Sequence, residues 1–285
     1  MDTTFWLRFR IFLAMFALAV LTWSSRATLL EDFAVRHVLI PIVMEAEAKP
    51  FVDHLGLSPL PNFFPPQTPF LAFSGIHHKT KVTVITLGKD HVYGTGVDNA
   101  GTVPSALATF LALAKEHEGR GAIDFVLNAG TCGGFARKGA SIGDVFLTTG
   151  VANHDRRIPI PGFDTYGVGR LQTVDSTMIA SKLGYKTGIC TTGNSLDHTT
   201  RDEEMMLAND ASVKDMEAAA IAYVAAMNNV PYLGVKVVTD IVDGGIPTQD
   251  EFLQNLASAA KSLQEALPRV LDYVCDKTKH TNGEL

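Results

Sequence analysis

Short runs with the length of buried β-strands alternate with helix-like segments along almost the whole chain, and this alternation constrains the fold most. The runs are apolar or rich in β-branched residues and lie at 37–43, 81–87, 123–127, 143–151, 186–192 and 232–239. A last helix is predicted from a capping box at Thr248 to Glu251 and an apolar stripe that continues to Val274. Neither an internal repeat nor a linker interrupts the pattern. It therefore predicts one α/β domain with a mixed or mostly parallel sheet.

The first 30 residues differ from everything that follows them. Arg8 and Arg10 precede an apolar run at 11–23, and small residues follow it at 24–27. The run is shorter than the roughly 20 residues that span a bilayer, and its flanks are typical of a secretory signal peptide. An uncleaved anchor and an organelle transit sequence remain open alternatives. We expect residues 1–30 to be a signal peptide or anchor and residues 31–285 to be the folded domain.

Localisation and membrane contact depend on this segment. If residues 1–27 act as a signal, the protein is expected in the secretory pathway or anchored to a membrane, and otherwise in the cytoplasm. Membrane contact is expected only through the apolar run.

Charge and cysteine content limit the possible partners. The formal net charge of -6 argues against a nucleic-acid surface, which would need clustered Lys and Arg, and favours a small-molecule partner. Cys132, Cys190 and Cys275 are widely spaced and form no CxxC or Cys/His cluster. His154 and its neighbours predict a structural polar cluster or an interface edge. We expect no metal and no cofactor.

Three acidic residues follow predicted buried strands. Glu47 comes after the first strand, Glu217 after the strand near Val213, and Asp240 after the strand that ends at Thr239. For each residue alone, a structural carboxylate at a helix N-terminus is as good an explanation as function. Their shared position at strand ends favours a site. A glycine-rich segment at 128–134 follows another strand, where open α/β sheets bind ligands.

Four segments closely resemble the methylthioadenosine/S-adenosylhomocysteine nucleosidases, and the plant-type enzymes most of all, within the nucleoside phosphorylase superfamily. They are 44–47 (Met-Glu-Ala-Glu), 128–134 (Asn-Ala-Gly-Thr-Cys-Gly-Gly), 214–220 (Lys-Asp-Met-Glu-Ala-Ala-Ala) and 238–240 (Val-Thr-Asp). The resemblance covers about 38–274. It implies a three-layer αβα sandwich around a mixed, mostly parallel sheet, and a homodimer. It also implies hydrolysis of 5′-methylthioadenosine to adenine and the thio-substituted ribose in methionine salvage, with S-adenosylhomocysteine as a second candidate substrate.

The chemistry of this bond and the resemblance together assign roles to the acids. Cleavage passes through a ribosyl cation, so adenine needs a proton and water needs a base, as in glycoside hydrolysis. The resemblance implies that Asp240 protonates adenine N7 and that Glu47 positions and deprotonates the water. It further implies that Glu217 accepts hydrogen bonds from the ribose hydroxyls, that Met216 contacts the sugar, and that Thr131, in the glycine-rich loop, lines the pocket.

The resemblance also suggests contacts for the two ends of the substrate. Leu196, in the segment 192–197, is expected on the face of adenine. Phe163, in a loop that reaches across the homodimer, is expected to cover the 5′-thio group of the neighbouring subunit. Asn194 stands where plant relatives usually carry Asp, which puts a charge-dependent role there in doubt.

Two alternatives remain open. A nucleoside phosphorylase would use phosphate instead of water, but the negative charge of Glu47 would repel phosphate. A secreted storage protein of the same superfamily would have no chemical reason to keep Glu47, Glu217 and Asp240 together. Release of adenine in phosphate-free buffer distinguishes the nucleosidase from both alternatives.

Overall fold

The computed structural model describes residues 35–119 and 121–275 and alternates strands with helices, as the sequence predicts. The strands are β1 His37–Pro41, β2 Ser58–Pro59, β3 Leu71–His77, β4 Thr80–Thr86, β5 Phe125–Gly134, β6 Val145–Asn153, β7 Leu171–Gln172, β8 Lys186–Thr192, β9 Ala211–Asp215 and β10 Tyr232–Ile241. The helices are α1 Glu45–Leu55, α2 Thr102–Glu118, α3 Phe163–Val168, α4 Thr177–Leu183, α5 Thr200–Ala208, α6 Ala218–Met227 and α7 Thr248–Cys275, with a 3-10 turn at Ala136–Lys138.

The predicted signal or anchor at residues 1–30 lies outside the described residues, so the predicted domain boundary remains a prediction. Within 35–119 and 121–275, no helix is long and apolar enough to span a bilayer.

The strands form one mixed sheet, and part of this sheet closes on itself. Strand β1 pairs in parallel with β4 and β5, and β5 pairs in parallel with β10. From β10 the sheet continues through β6, β8 and β9, and β9 returns to the end of β5 in antiparallel orientation. Strands β3 and β2 extend the other edge beyond β4. The predicted α/β domain with a mixed sheet is confirmed.

Helices cover both faces of the sheet and bury one apolar core on each. On one face, α1, α4 and α7 contribute buried side chains such as Phe51, Ile179 and Leu267. On the other face, α2 and α6 contribute mainly small residues, among them Ala112 and Ala222. Because alanine side chains are short, these two helices can lie close to the strands and to one another.

Two strands are longer than the sequence predicts. The prediction ended β5 at Leu127, but the strand continues through the glycine-rich segment to Gly134 because this extension pairs with β10, and its last two residues also pair with β9. Thr131 therefore lies in a strand, and its predicted loop position is wrong. Strand β10 likewise continues past Thr239 to Ile241, with an irregular register between Val238 and Asp240.

The start of α7 also differs from the prediction. The predicted capping box is wrong for two reasons. Thr248 is already part of α7, and the Glu251 carboxylate accepts the backbone N–H of Ile241 at 2.7 Å instead of a hydrogen bond from the start of its own helix. This contact ties the first turn of α7 to the end of β10, beside the residues described below.

Candidate active site

A cleft of about 650 Å³ opens at the carboxyl ends of β1, β5, β9 and β10. Six of the seven sequence-predicted site residues line it, namely Glu47, Thr131, Leu196, Met216, Glu217 and Asp240. Residues from the start of α7, Thr248 and Phe252, complete its wall. The structure thus brings together segments that are almost 200 residues apart in sequence.

Glu47 reaches the cleft from the first turn of α1, which begins directly after β1. Its side chain is buried, and its Oε1 accepts the backbone N–H of Thr131 in β5 at 2.9 Å. Burial raises the pKa of the Glu47 carboxyl, although the Thr131 hydrogen bonds and the nearby Lys236 ammonium oppose the shift. A raised pKa makes this carboxylate a better proton acceptor than an exposed one.

Asp240 lies at the irregular end of β10, with its side chain against the end of β5. The hydroxyl of Thr239 donates to Asp240 Oδ1 at 2.7 Å. A Cβ on Gly133 would lie 2.7 Å from Asp240 Oδ2, so glycine at 133 leaves the space that this carboxyl occupies. Burial raises the pKa of Asp240, although the Lys214 ammonium opposes the shift. The protonated form, which can donate a proton, is therefore more accessible than in an exposed aspartate.

Glu217 occupies the residue before α6, and its carboxylate does not cap that helix. Its Oε1 accepts the backbone N–H of Gly101 at 2.9 Å instead. Gly101 has a φ of 97°, a conformation that favours glycine, and it directly precedes α2. Burial, followed by repulsion from the Asp215 carboxylate, raises the pKa of Glu217 to about 7.

A buried ion pair beneath the cleft was not foreseen from the sequence. Lys236 Nζ lies 2.8 Å from Asp215 Oδ2, and the two side chains are only 2% and 1% exposed. Asp215 also accepts the Thr192 hydroxyl at 2.7 Å and the Ala218 N–H at 2.9 Å. Burial alone would raise the pKa of Asp215, but Lys236 and these hydrogen bonds hold it below its ordinary value. The pair therefore stays charged inside the protein.

The ammonium of Lys236 also belongs to the electrostatics of the cleft. A Cβ on Gly130 would lie 3.5 Å from Glu47 Oε2 and 3.9 Å from Lys236 Nζ, so both groups flank the bare backbone of this glycine. Opposite charge nearby favours ionised carboxylates and limits the effect of burial on Glu47 and Glu217.

Lys214 holds the segment that carries Leu196. Its ammonium is buried and donates to the carbonyl oxygens of Ser195 at 2.9 Å and Leu196 at 2.7 Å. Both Lys214 and Leu196 line the cleft. This strand residue thus fixes the loop that forms one wall.

Asn194 connects two neighbouring elements next to this wall. Its Oδ1 accepts the Thr102 N–H at 3.0 Å and the Thr102 hydroxyl at 2.9 Å, and its amide donates to Asp155 at 3.3 Å. A carboxylate at 194 would place a second negative charge beside Asp155. The asparagine therefore matches its surroundings in this chain.

Comparisons with known proteins agree with this geometry. The model of the Phosphorylase superfamily matches residues 37–272. A 5′-methylthioadenosine nucleosidase of Arabidopsis thaliana is 43% identical over 238 residues, which cover 83% of this chain and 86% of the relative. A 5′-methylthioadenosine/S-adenosylhomocysteine nucleosidase of the same plant is 42% identical, and the match covers 84% of this chain and 92% of that relative. The chain belongs to the plant-type methylthioadenosine nucleosidases of this superfamily.

Solved structures support the same membership. The apo Arabidopsis thaliana 5′-methylthioadenosine nucleosidase superposes on this nucleosidase with a TM-score of 0.80 at 42% identity, covering 85% of this chain and 97% of that one. Futalosine hydrolase of Helicobacter pylori, with a TM-score of 0.67 at 20% identity, shares the fold.

Phe163 is the one predicted site residue outside the cleft of this nucleosidase chain. It begins the short helix α3 and is 54% exposed. Its neighbours Ile160 and Tyr166 are also exposed, and none of the three lines the cleft. Close by, His154 is buried against the Thr191 hydroxyl, and Arg157 forms an ion pair with Asp202. Polar contacts around His154 agree with the predicted structural polar cluster, and the alternative of an interface edge stays a prediction.

The residues missed in the nucleosidase site are Lys214, Asp215 and Lys236. One signal for them exists in the sequence, because Lys236 interrupts the otherwise apolar run at 232–239. A charge within a buried strand requires a partner of opposite charge. The sequence does not identify that partner, since Asp215 lies 21 residues earlier in the chain.

Proposed function

We propose that this chain hydrolyses the N-glycosidic bond of 5′-methylthioadenosine, and that Asp240, Glu47 and Glu217 carry the reaction. The observation that supports this most is the convergence of three carboxyl groups with raised pKa values on one cleft. Two groups that exchange protons with adenine and water, and a third that binds the sugar, are what the chemistry requires.

In the proposed reaction, the bond between C1′ of the ribose and N9 of adenine breaks, and both electrons leave with the base. Asp240 gives its proton to adenine N7, so that the base departs neutral. A water molecule forms the new bond to C1′ and passes its proton to Glu47. Glu217 accepts hydrogen bonds from the ribose hydroxyls and stabilises the cationic sugar. Each acid ends with the opposite protonation state, and proton exchange with solvent after product release restores both.

The remaining contacts follow the shape of the cleft. Leu196 and the loop held by Lys214 contact the adenine, Met216 contacts the sugar, and Thr131 lines the floor beside Glu47. Val43 and Phe252 supply apolar side chains to the rest of the lining. The activity is consistent with methionine salvage, and S-adenosylhomocysteine is proposed as a second substrate.

Attack by water rather than phosphate is supported by the charges at the floor of the cleft. Phosphate needs cationic or strong donor groups around its oxygens. Glu47 occupies the floor, and the nearest buried cation, Lys236, is already paired with Asp215. A dianion placed there would face a carboxylate rather than a free ammonium.

We also propose that the protein acts as a homodimer in which Phe163 covers the 5′-thio group of the neighbouring site. Helix α2 presents Val103, Leu107 and Phe110 to solvent at helical spacing, and the helix starts beside the cleft at Gly101. Such an apolar stripe is typical of a protein interface. Phe110→Glu should yield monomers in analytical ultracentrifugation and a raised KM, whereas dimers of unchanged KM would contradict the proposal.

The decisive experiment follows adenine release by chromatography in phosphate-free buffer, with 5′-methylthioadenosine and S-adenosylhomocysteine as separate substrates. We expect free adenine and a reducing thio-sugar from the first substrate. Release that requires added phosphate and yields a sugar 1-phosphate would identify a phosphorylase. Complete inertness of folded protein would favour the storage alternative.

Localisation is a separate proposal, since it rests on residues 1–30 alone. We propose a secretory or membrane-anchored location if residues 1–27 act as a signal. N-terminal sequencing of the mature protein tests this, because a start near residue 28 requires cleavage, whereas an intact Met1 contradicts a cleaved signal.

A further inference from the structure

Two adjacent histidines and an aspartate converge at the tip of the hairpin formed by β3 and β4. His77 Nε2 lies 2.6 Å from Asp272 Oδ1, and His78 Nε2 lies 3.3 Å from the same oxygen. The three potential ligand atoms all lie within 4.8 Å of one another. Asp272 comes from α7, so this cluster connects the hairpin with the last helix.

The backbone of the hairpin brings the two imidazoles to the same side. Successive side chains of a strand point to opposite faces, which would separate neighbouring histidines. Here His77 pairs with Thr80 across a two-residue turn, and His78 has a φ of 53°. At the first central position of such a turn, a positive φ is usually provided by glycine. Histidine at this position carries a conformational cost, and its ring lies 4.3 Å from that of His77.

In contrast to the expectation from the sequence that no metal is bound, we propose that His77, His78 and Asp272 bind a divalent transition-metal ion of the Zn²⁺ type, with water completing its coordination. Two imidazole nitrogens and one carboxylate oxygen form a donor set that suits Zn²⁺, Co²⁺, Ni²⁺ or Cu²⁺ and discriminates against Mg²⁺ and Ca²⁺. The Nε2 atoms that now face Asp272 bind the metal, and the Nδ1 atoms keep the imidazole protons.

This site is separate from the proposed chemistry. Asp272 lies 24 residues beyond Thr248 in the same helix, a distance of about 36 Å at the rise of an α-helix. Thr248 lines the cleft, so the metal would lie far from the reacting bond. The ion would instead fasten the hairpin to α7 and stabilise the folded protein. Failure of the metal site would therefore leave the proposed nucleosidase activity unaffected.

Metal binding is tested with protein that has no polyhistidine tag and has been treated with a chelator. Titration calorimetry with Zn²⁺ alone should give one tight site, and Mg²⁺ should give none. His77→Gln, His78→Gln and Asp272→Asn should each weaken Zn²⁺ binding by at least about 100-fold, the upper end of the loss from substitutions outside the ligand set. Gln at 77 retains an amide that can donate to Asp272, so the hairpin is expected to stay folded.

The matched control is His54→Gln, which removes an exposed histidine on α1 outside the cluster and should leave Zn²⁺ affinity unchanged. Zn²⁺ should raise the thermal midpoint of unfolding by several degrees in the wild type and in the control. The midpoints of the three cluster variants should hardly change. Bound Co²⁺ should show d–d bands without thiolate charge transfer. The proposal is overturned by equal affinity in wild type and cluster variants, by a comparable loss in the control, or by a thiolate band.

Discussion

Replacing Lys236 with methionine tests whether the buried ion pair beneath the cleft stabilises the protein. Methionine has nearly the same length, so the packing of β10 changes little. The substitution leaves Asp215, whose side chain is 1% exposed, without its cationic partner. Removing one member of a buried pair destabilises proteins by about 3 to 5 kcal/mol, because an uncompensated charge stays in the interior.

A loss of this size is readily measured. Domains of 150–250 residues lose about 2 to 4 °C of thermal midpoint per kcal/mol, so Lys236→Met should lower the midpoint by about 6 to 20 °C. Urea unfolding of the same variant should give the free-energy difference directly, and an unchanged m-value would show that the denatured state is unaffected.

The double variant Lys236→Met, Asp215→Asn is the matched control. Asparagine keeps an acceptor for the Ala218 N–H, and its amide can donate to Thr192 Oγ1, which keeps this contact with the direction of the hydrogen bond reversed. With both charges removed, most of the lost stability should return. A single variant that loses less than about 1 kcal/mol, or a double variant no more stable than the single one, would refute the reasoning.

Three further predictions concern the cleft. Asp240→Asn and Glu47→Gln should each lower kcat by about 10²- to 10⁴-fold with unchanged circular dichroism, and near-normal turnover in either would contradict its proposed role. Because the fold raises the pKa of Glu217 from an ordinary 4.5 to about 7, this group contributes stability below pH 4.5 that is lost as the pH rises through 7. The stability of Glu217→Gln relative to wild type should therefore increase over that range in urea unfolding, whereas a pH-independent difference would argue against the shift. Lys214→Met should raise KM by about 10-fold in the adenine-release assay, since two charge-assisted hydrogen bonds to the loop of Leu196 are lost, and an effect confined to kcat would exclude this positioning role.

The fold and most of the site could be predicted because the information is local. Buried strands are visible as short apolar runs, and acids soon after such runs stand out, as Glu47 and Asp240 do. The motifs containing them resemble a family, and this resemblance separated a catalytic interpretation from a structural one.

The features that were missed depend on contacts between distant segments. The extension of β5 to Gly134 is stabilised by pairing with β10 and, at its end, with β9, whereas the glycine-rich composition alone suggests a loop. Glu251 satisfies the sequence pattern of a capping box, but the backbone of Ile241 offers it a tertiary partner. Lys236 looks anomalous in its strand, yet only the closed part of the sheet brings Asp215 next to it.

Helix α7 has a consequence for how the protein is made. It buries Leu263, Leu267 and Val270 against one face of the sheet, and its first turns supply Thr248 and Phe252 to the cleft. Synthesis proceeds from the N-terminus, so the ribosome must translate the chain through α7 before this face is fully covered. Until then the nascent chain exposes part of an apolar sheet face, to which chaperones can bind. Binding competence should consequently arise in one late step, when α7 docks, rather than gradually during translation.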